Sequence, residues 1–149
     1  MASPDILLPQ ETKIEEETLL SLSKMKWKKN IGKAVSAQGS FGGLATMWLE
    51  DMFFMENSFE TWHWIFTELC HTSSNISLVL FNLYVPINFL EKKECWNSLA
   101  YFIATYAPFN AIAADDLNII MDPKEKKAES AGGTQCTKWW IILSNYTIF

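Results

Sequence analysis

The chain has 149 residues, 49% hydrophobic and 19% charged, an ordinary globular composition that excludes a disordered or fibrous protein. A chain of this size buries roughly 70% of its extended surface, enough for one core and not for two, so one domain, whole or incomplete, is expected. The formal charge is −5, from 17 acids against 12 bases that are all Lys, a balance that weighs against nucleic-acid binding. Seven Trp and ten Phe make the apolar mass aromatic, which calls for packed layers. No apolar run approaches the ~18 residues of a membrane span, and the N-terminus lacks the basic start of a signal peptide. A soluble, intracellular protein with no membrane partner is expected. Cys70, Cys95 and Cys136 lie far apart with no CxxC spacing, which excludes a disulfide framework and a structural zinc site.

In chain order, Ile6-Leu7-Leu8 before Pro9 is a short apolar run that predicts a buried strand. Thr12 is placed to cap a helix with Glu15, Glu16 and Glu17 in its first turn and Lys24, Lys26 and Lys28 at its end, which suits the helix dipole. Val35, the Gly42–Gly43 pair and Leu44 to Trp48 predict strand, turn and strand. Phe53 to Glu56 and Thr61 to Leu69 are rich in aromatic and β-branched residues. Ile76 to Val85 is the clearest strand, stopped by Pro86. A helix is predicted over 89–105, with Trp96, Leu99, Ile103 and Tyr106 as one apolar stripe opposite Glu91, Lys92 and Lys93. Phe109 to Ala114 predicts a last buried strand that runs into Asp115-Asp116-Leu117-Asn118. The order of elements is mixed α/β. Residues 128–133 form a loop. Lys138 to Leu143 is either a final strand or an unrelated apolar tail, and the want of a following partner element favours the tail. The expected division is therefore a partial domain over 1–133 and a tail over 134–149.

Three segments put polar groups at the ends of apolar strands, where sites of this fold class gather. Glu11 follows the first strand, Tyr84 ends the clearest one, and Asp116 and Asn118 follow the last. If that strand continues, Asp116 and Asn118 share a face. Carboxylates with a phenol and an amide form a hard, oxygen-rich set that suits Mg²⁺ and a phosphate substrate rather than zinc. Taken singly, each acid is more often a solvated loop residue and Tyr84 a core aromatic. Their joint appearance in this order gives them weight. The five bases Lys24, Lys26, Lys28, Lys29 and Lys33, with Trp27 among them, are read first as a solvated helix end and second as a phosphate-tracking patch.

Gln10-Glu11-Thr12-Lys13, then Asn82-Leu83-Tyr84-Val85-Pro86, then Asp116-Leu117-Asn118 resemble the successive signatures of the endonuclease/exonuclease/phosphatase superfamily. Ser40 to Leu44 followed by Trp48, Glu91-Lys92-Lys93 before Trp96, and Glu125-Lys126 with Gly132–Gly133 resemble its plant non-LTR retrotransposon branch. The similarity covers about residues 4 to 133. It implies a DNase I-like four-layer α/β sandwich and metal-assisted hydrolysis of a phosphodiester, with DNA as partner. By this resemblance Glu11 would bind Mg²⁺, Tyr84 would support the scissile phosphate, and Asp116 with Asn118 would orient the attacking water and the phosphate oxygens. A nuclear location would follow from the same resemblance.

The chain departs from the family in several places. The family's Asn-bearing first strand has no counterpart, nor has its late Asp and Ser-Asp-His segment. Asp115 stands where the family has Gly, adding a like charge that would raise a neighbour's pKa. His63 and His71 both precede Asp116 and are expected to pack in the core or at the rim. The resemblance therefore implies a domain incomplete at both ends, weakly active or inactive, since groups that act as a unit lose most of the rate together. A second expectation is a non-catalytic interaction module, in which an open sheet edge and Trp139 and Trp140 engage a second copy or a partner chain.

Overall fold

The computed structural model describes residues 4–39, 42–108, 111–116 and 139–143, giving the backbone alone for Asp116 and for 139–143. The apolar run after Asp5 forms β1 (Ile6–Leu7), and the acidic-to-basic segment forms α1 (Glu16–Lys26). Three strands follow, β2 (Asn30–Val35), β3 (Leu44–Leu49) and β4 (Phe53–Glu60). Then come β5 (Trp64–His71), β6 (Ser77–Tyr84), α2 (Phe89–Tyr106), β7 (Ala111–Asp116) and β8 (Trp139–Leu143). The strands make two sheets, one ordered β1-β3-β2 and one ordered β4-β5-β6-β7-β8. Every described pairing is antiparallel except β6 with β7. A parallel pair needs a long crossover, and α2 supplies it.

The alternation of side chains along β6 builds the layers. Val79, Phe81 and Leu83 face α2, where they meet Cys95, Leu99 and Ile103 together with Trp64 and Phe66 of β5. Leu80 and Tyr84 face the other sheet. Leu80 packs there with Trp48 and Leu69, and Tyr84 with Leu44 and Ile65. Leu19, Leu20 and Trp27 of the α1 region cover the outer side of the small sheet, over Ala34, Ala45 and Met47. The result is helix, sheet, sheet, helix: the four-layer α/β sandwich that the resemblance implied. Because β6 is covered on both sides, it reads in sequence as a near-continuous apolar run.

The cap of α1 and the buried stripe of α2 differ from those expected. Thr12 does not cap α1. The N-cap is Glu15, which makes no side-chain cap bond, and the Ser36 hydroxyl beyond β2 accepts from the Glu16 N–H at 3.0 Å. The buried stripe of α2 is Cys95, Leu99 and Ile103, whereas Trp96 and Tyr106 are each 37% exposed at its margins. The aromatic that joins this stripe is Phe102, stacked on Phe59 and close to Trp64 and Phe66. Of the two readings of the run before Leu143, a final strand or an unrelated tail, residues 139–143 take the form of a strand, paired with β7 from Ala111↔Leu143 to Asp115↔Trp139. Among the described residues, no helix is long and apolar enough to cross a membrane.

One polar side chain lies between the sheets with its hydrogen bonds made. Asn82 is fully buried in β6. Its Nδ2 donates to the carbonyl of Ala45 at 2.6 Å and to that of Pro9 at 3.1 Å, and its Oδ1 accepts from Gln10 Nε2 at 3.0 Å. Truncation would leave buried carbonyls and an amide unpaired, each costing more than a hydrogen bond's net worth. Asn82→Ala is expected to destabilise the fold by about 3 kcal/mol. That is a fall of roughly 6–12 °C in melting midpoint for a chain of this length, read by calorimetry.

Candidate functional site

The segment after β1 is held against the start of β3. Gln10 bridges to Leu44, the Thr12 N–H donates to the Gly43 carbonyl, and the Lys13 N–H donates to the Gly42 carbonyl, both at 3.1 Å. Glu11, half-buried, sits in this segment with φ of +48°, and Lys13 has φ of +57°. Such left-handed values are rare outside glycine and cost about 1–3 kcal/mol each, so the surrounding bonds must hold them. The segment is thus fixed on both flanks of Glu11: by Gln10 on Asn82, and by Thr12 on Gly43.

The Gly42–Gly43 step allows this close approach. Gly43 has φ of +88°, and a Cβ there would lie 2.3 Å from Thr12 Oγ1. At Gly42 a Cβ would lie 3.7 Å from the Tyr84 ring. The backbone that carries Glu11 and the ring of Tyr84 therefore flank the same two glycines.

Tyr84 closes β6, buried at 9% exposure, and its N–H donates to the His63 carbonyl at 2.7 Å. In the parallel pair it lies in register with Asp116, the last residue of β7. Glu11, Tyr84 and the backbone of Asp116 thus lie at one end of the sandwich. Asn118 lies outside the described residues.

Asp115 is buried at 2% exposure, on the side of the sheet that faces α2. Its charge acts there on Cys95, whose thiol is pushed up to about 11, mainly by burial and secondarily by Asp115. That thiol stays protonated and unreactive. His63 is half-buried beside the same helix. Burial lowers its imidazole below the usual range, and the acids Glu91 and Glu94 offset this in part. His71 lies at the opposite end of β5, with its Nδ1 2.9 Å from the Ser74 hydroxyl in the turn. Both histidines therefore pack at the rim, as expected from sequence. Among the described residues, no group of three or more His, Cys, Asp or Glu gathers as a metal-binding cluster.

Of the lysine-rich segment, Lys29 pairs with Asp51 at 2.6 Å and Lys33 with Glu60 at 3.3 Å, while Lys24, Lys26 and Lys28 are exposed. Asn82, within the Asn82-Leu83-Tyr84 segment, has a positioning role that its sequence motif does not announce. A polar residue amid Leu, Val and Phe was the available signal.

No family model matches the chain, and no curated protein does. Solved structures do. An endonuclease/exonuclease/phosphatase family protein from Bacteroides thetaiotaomicron aligns over 86% of this chain and 55% of its own, with 15% identity and a TM-score of 0.63. A mannosyl-6-phosphatase from the same organism aligns over 86% and 57%, with 14% identity and a TM-score of 0.60. The AP endonuclease LMAP from Leishmania major aligns over 78% and 46%, with 14% identity and a TM-score of 0.50. At such identities the likeness establishes the fold: this chain has the DNase I-like α/β architecture of the endonuclease/exonuclease/phosphatase family. It spans about half the length of the structures it matches.

Two outcomes follow for the site. Gly43→Ala should cost about 1–3 kcal/mol in a denaturant melt, through both φ strain and the clash. The double variant Gly43→Ala/Thr12→Ala should recover only the steric part. For His63, the folded pKa lies below the unfolded one, so the unfolded chain binds the extra proton between the two values. Its contribution to stability is therefore complete above about pH 6.5 and lost as pH falls through the depressed value. The melting midpoint of the wild type should fall more steeply below pH 6.5 than that of His63→Gln.

Proposed function

We propose that this chain is a Mg²⁺-dependent phosphodiesterase domain of the retrotransposon-endonuclease kind, acting on DNA and weakly active or inactive by itself. The observation that carries this reading is the convergence of the three signature segments. Gln10 beside Glu11 bonds Asn82, and two residues on in β6 Tyr84 stands in register with Asp116. The family fold and the endonuclease among the matching structures support the same reading.

The residues fit the metal by donor chemistry. Mg²⁺ keeps several waters and takes one or two carboxylates together with phosphate oxygens, so it does not require a dedicated protein cage. Glu11 is the carboxylate proposed to hold it, on a segment locked at both flanks. When bound, the ion would stabilise charge that develops on the phosphate oxygens. The Tyr84 phenol would steady the phosphate, and Asp116 with Asn118 would orient water. Low activity is proposed because neither histidine suits proton transfer at this end: His63 packs toward α2 and His71 lies at the other end of β5. Loss of one member of a cooperating set removes most of the rate.

A second reading, a non-catalytic module, rests on β8. In the described sheet this strand pairs only with β7, which leaves its other edge open to a second copy or a partner chain. A concentration-independent monomer on size exclusion would count against it.

The test is a thermal melt with and without millimolar Mg²⁺. At a hundredfold excess over the dissociation constant the ion should add about 2.7 kcal/mol, and Glu11→Gln should lose the shift. Equal shifts in both proteins would remove Glu11 from the metal site. Nicking of supercoiled plasmid should be slow, dependent on Mg²⁺ and abolished in Asp116→Ala. Hydrolysis of a sugar phosphate with no action on plasmid would replace the nuclease reading with a phosphatase.

A further inference from the structure

The end of the sandwich that carries Tyr84 also carries four exposed apolar side chains. Ile87 is 76% exposed, Phe89 75%, Leu90 68% and Trp62 60%. They come from the β4–β5 turn and from the entry and first turn of α2. In the β5–β6 pair Trp64 opposes Leu83, and the Tyr84 N–H binds the His63 carbonyl. Trp62, one residue further out, therefore stands beside the point where the chain leaves β6 through Val85 and Pro86 to Ile87. The first turns of α2 lie close by, since Glu91 and Glu94 act on His63. Asn88 fixes where these side chains emerge, because its carboxamide oxygen accepts from the Leu90 and Glu91 N–H groups at 2.9 and 3.3 Å and starts the helix.

Two of the other exposed aromatics are engaged by neighbours. Phe59 leans on Trp64 and Phe102, and the Tyr106 hydroxyl donates to Glu68 at 2.6 Å. Trp62 and Phe89 take no part in the described ring contacts of the core. Exposed aromatic faces beside a phosphate-binding point are the arrangement that stacks unpaired bases, because every base offers a π-face whatever its sequence. A sugar phosphate offers no such face.

We propose that Trp62 and Phe89, flanked by Ile87, form a stacking platform for an unpaired base next to the phosphate held at Tyr84, so that the substrate is single-stranded or locally unpaired nucleic acid. This rests on the phosphodiesterase reading above and adds the substrate class.

The test uses the full chain without Mg²⁺ and two fluorescent oligonucleotides of equal length, one of thymidines and one of abasic sugar-phosphate units, read by anisotropy. The wild type should bind the base-bearing strand at least roughly fivefold more tightly. Trp62→Ala and Phe89→Ala should each remove most of that preference, leave binding of the abasic strand in place, and keep the wild-type melting midpoint. Equal binding of both strands by the wild type would overturn the platform and spare the phosphate site. A loss that is the same for both strands in Trp62→Ala would also overturn it. Binding of neither strand would overturn the platform together with the nucleic-acid reading. A dimer in the wild type that Trp62→Ala disperses, without any preference between strands, would assign the surface to a second copy instead.

Discussion

The side-chain amide of Asn82 joins the two sheets and sets the position of the candidate site at once. All three of its bonds leave β6 for the other side of the sandwich, to Pro9, Gln10 and Ala45. A shift of β6 by one residue would turn Asn82 toward α2 and bury those partners unsatisfied, so the amide fixes register as well as contributing stability. The same bonds hold the residue on each side of the step that leads into Glu11. Stability and site geometry therefore depend on one group. A substitution that loosens it would disturb both.

The two halves of the sandwich are not equally firm. On the α2 side, Trp64, Phe66, Phe81 and Phe102 interlock at centroid distances of 4.9–6.2 Å, and Trp64 Nε1 donates to Ser98 at 3.0 Å. On the α1 side, the helix has no fully buried residue. Its ends are tied by side chains from β2 and its exit: Ser36 takes the Glu16 N–H, and Asn30 donates to the Trp27 carbonyl. Local opening should cost less where fewer apolar contacts must break. Glu11 lies in the segment between β1 and α1, whereas Tyr84 and Asp116 end strands of the firmer sheet. The carboxylate proposed for the metal thus depends on its own locked flanks, at Gln10 and Thr12, to hold it on the side of the sandwich with the looser helix.

What could be read in the sequence follows the range of the interaction. The β6 strand was legible because burial on both faces leaves an unbroken apolar run with Pro86 at its end. The extent of α2 was legible from its period, but its stripe was misplaced toward Trp96. Cys95, one residue earlier, is the side chain that reaches the core, and size alone does not reveal which of two neighbours turns inward. Ser36 as the partner of α1 was not legible, since a cap supplied from twenty residues away leaves no local spacing. Nor was the pairing of 139–143, because a lone apolar run acquires meaning only from the strand it joins. For the site, the ordered motifs marked Glu11 and Tyr84, while Asn82, which positions one against the other, was hidden among its apolar neighbours.

The net charge of −5 weighs against a polyanion as substrate, but the approach of a phosphate is governed by the local field. Asp115, adjacent in sequence to a proposed catalytic acid, is buried on the α2 side beside Cys95. Asp51 and Glu60 are paired with Lys29 and Lys33. Glu91 and Glu94 face His63 in the first turns of α2, near the proposed platform, where they would repel a phosphate backbone and not a base. A substrate that presents its bases to that rim and its phosphate to Tyr84 meets the least repulsion. A duplex, with charge on both outer strands, cannot do this without opening, which is why the acidity of this rim and its exposed aromatics favour the same substrate.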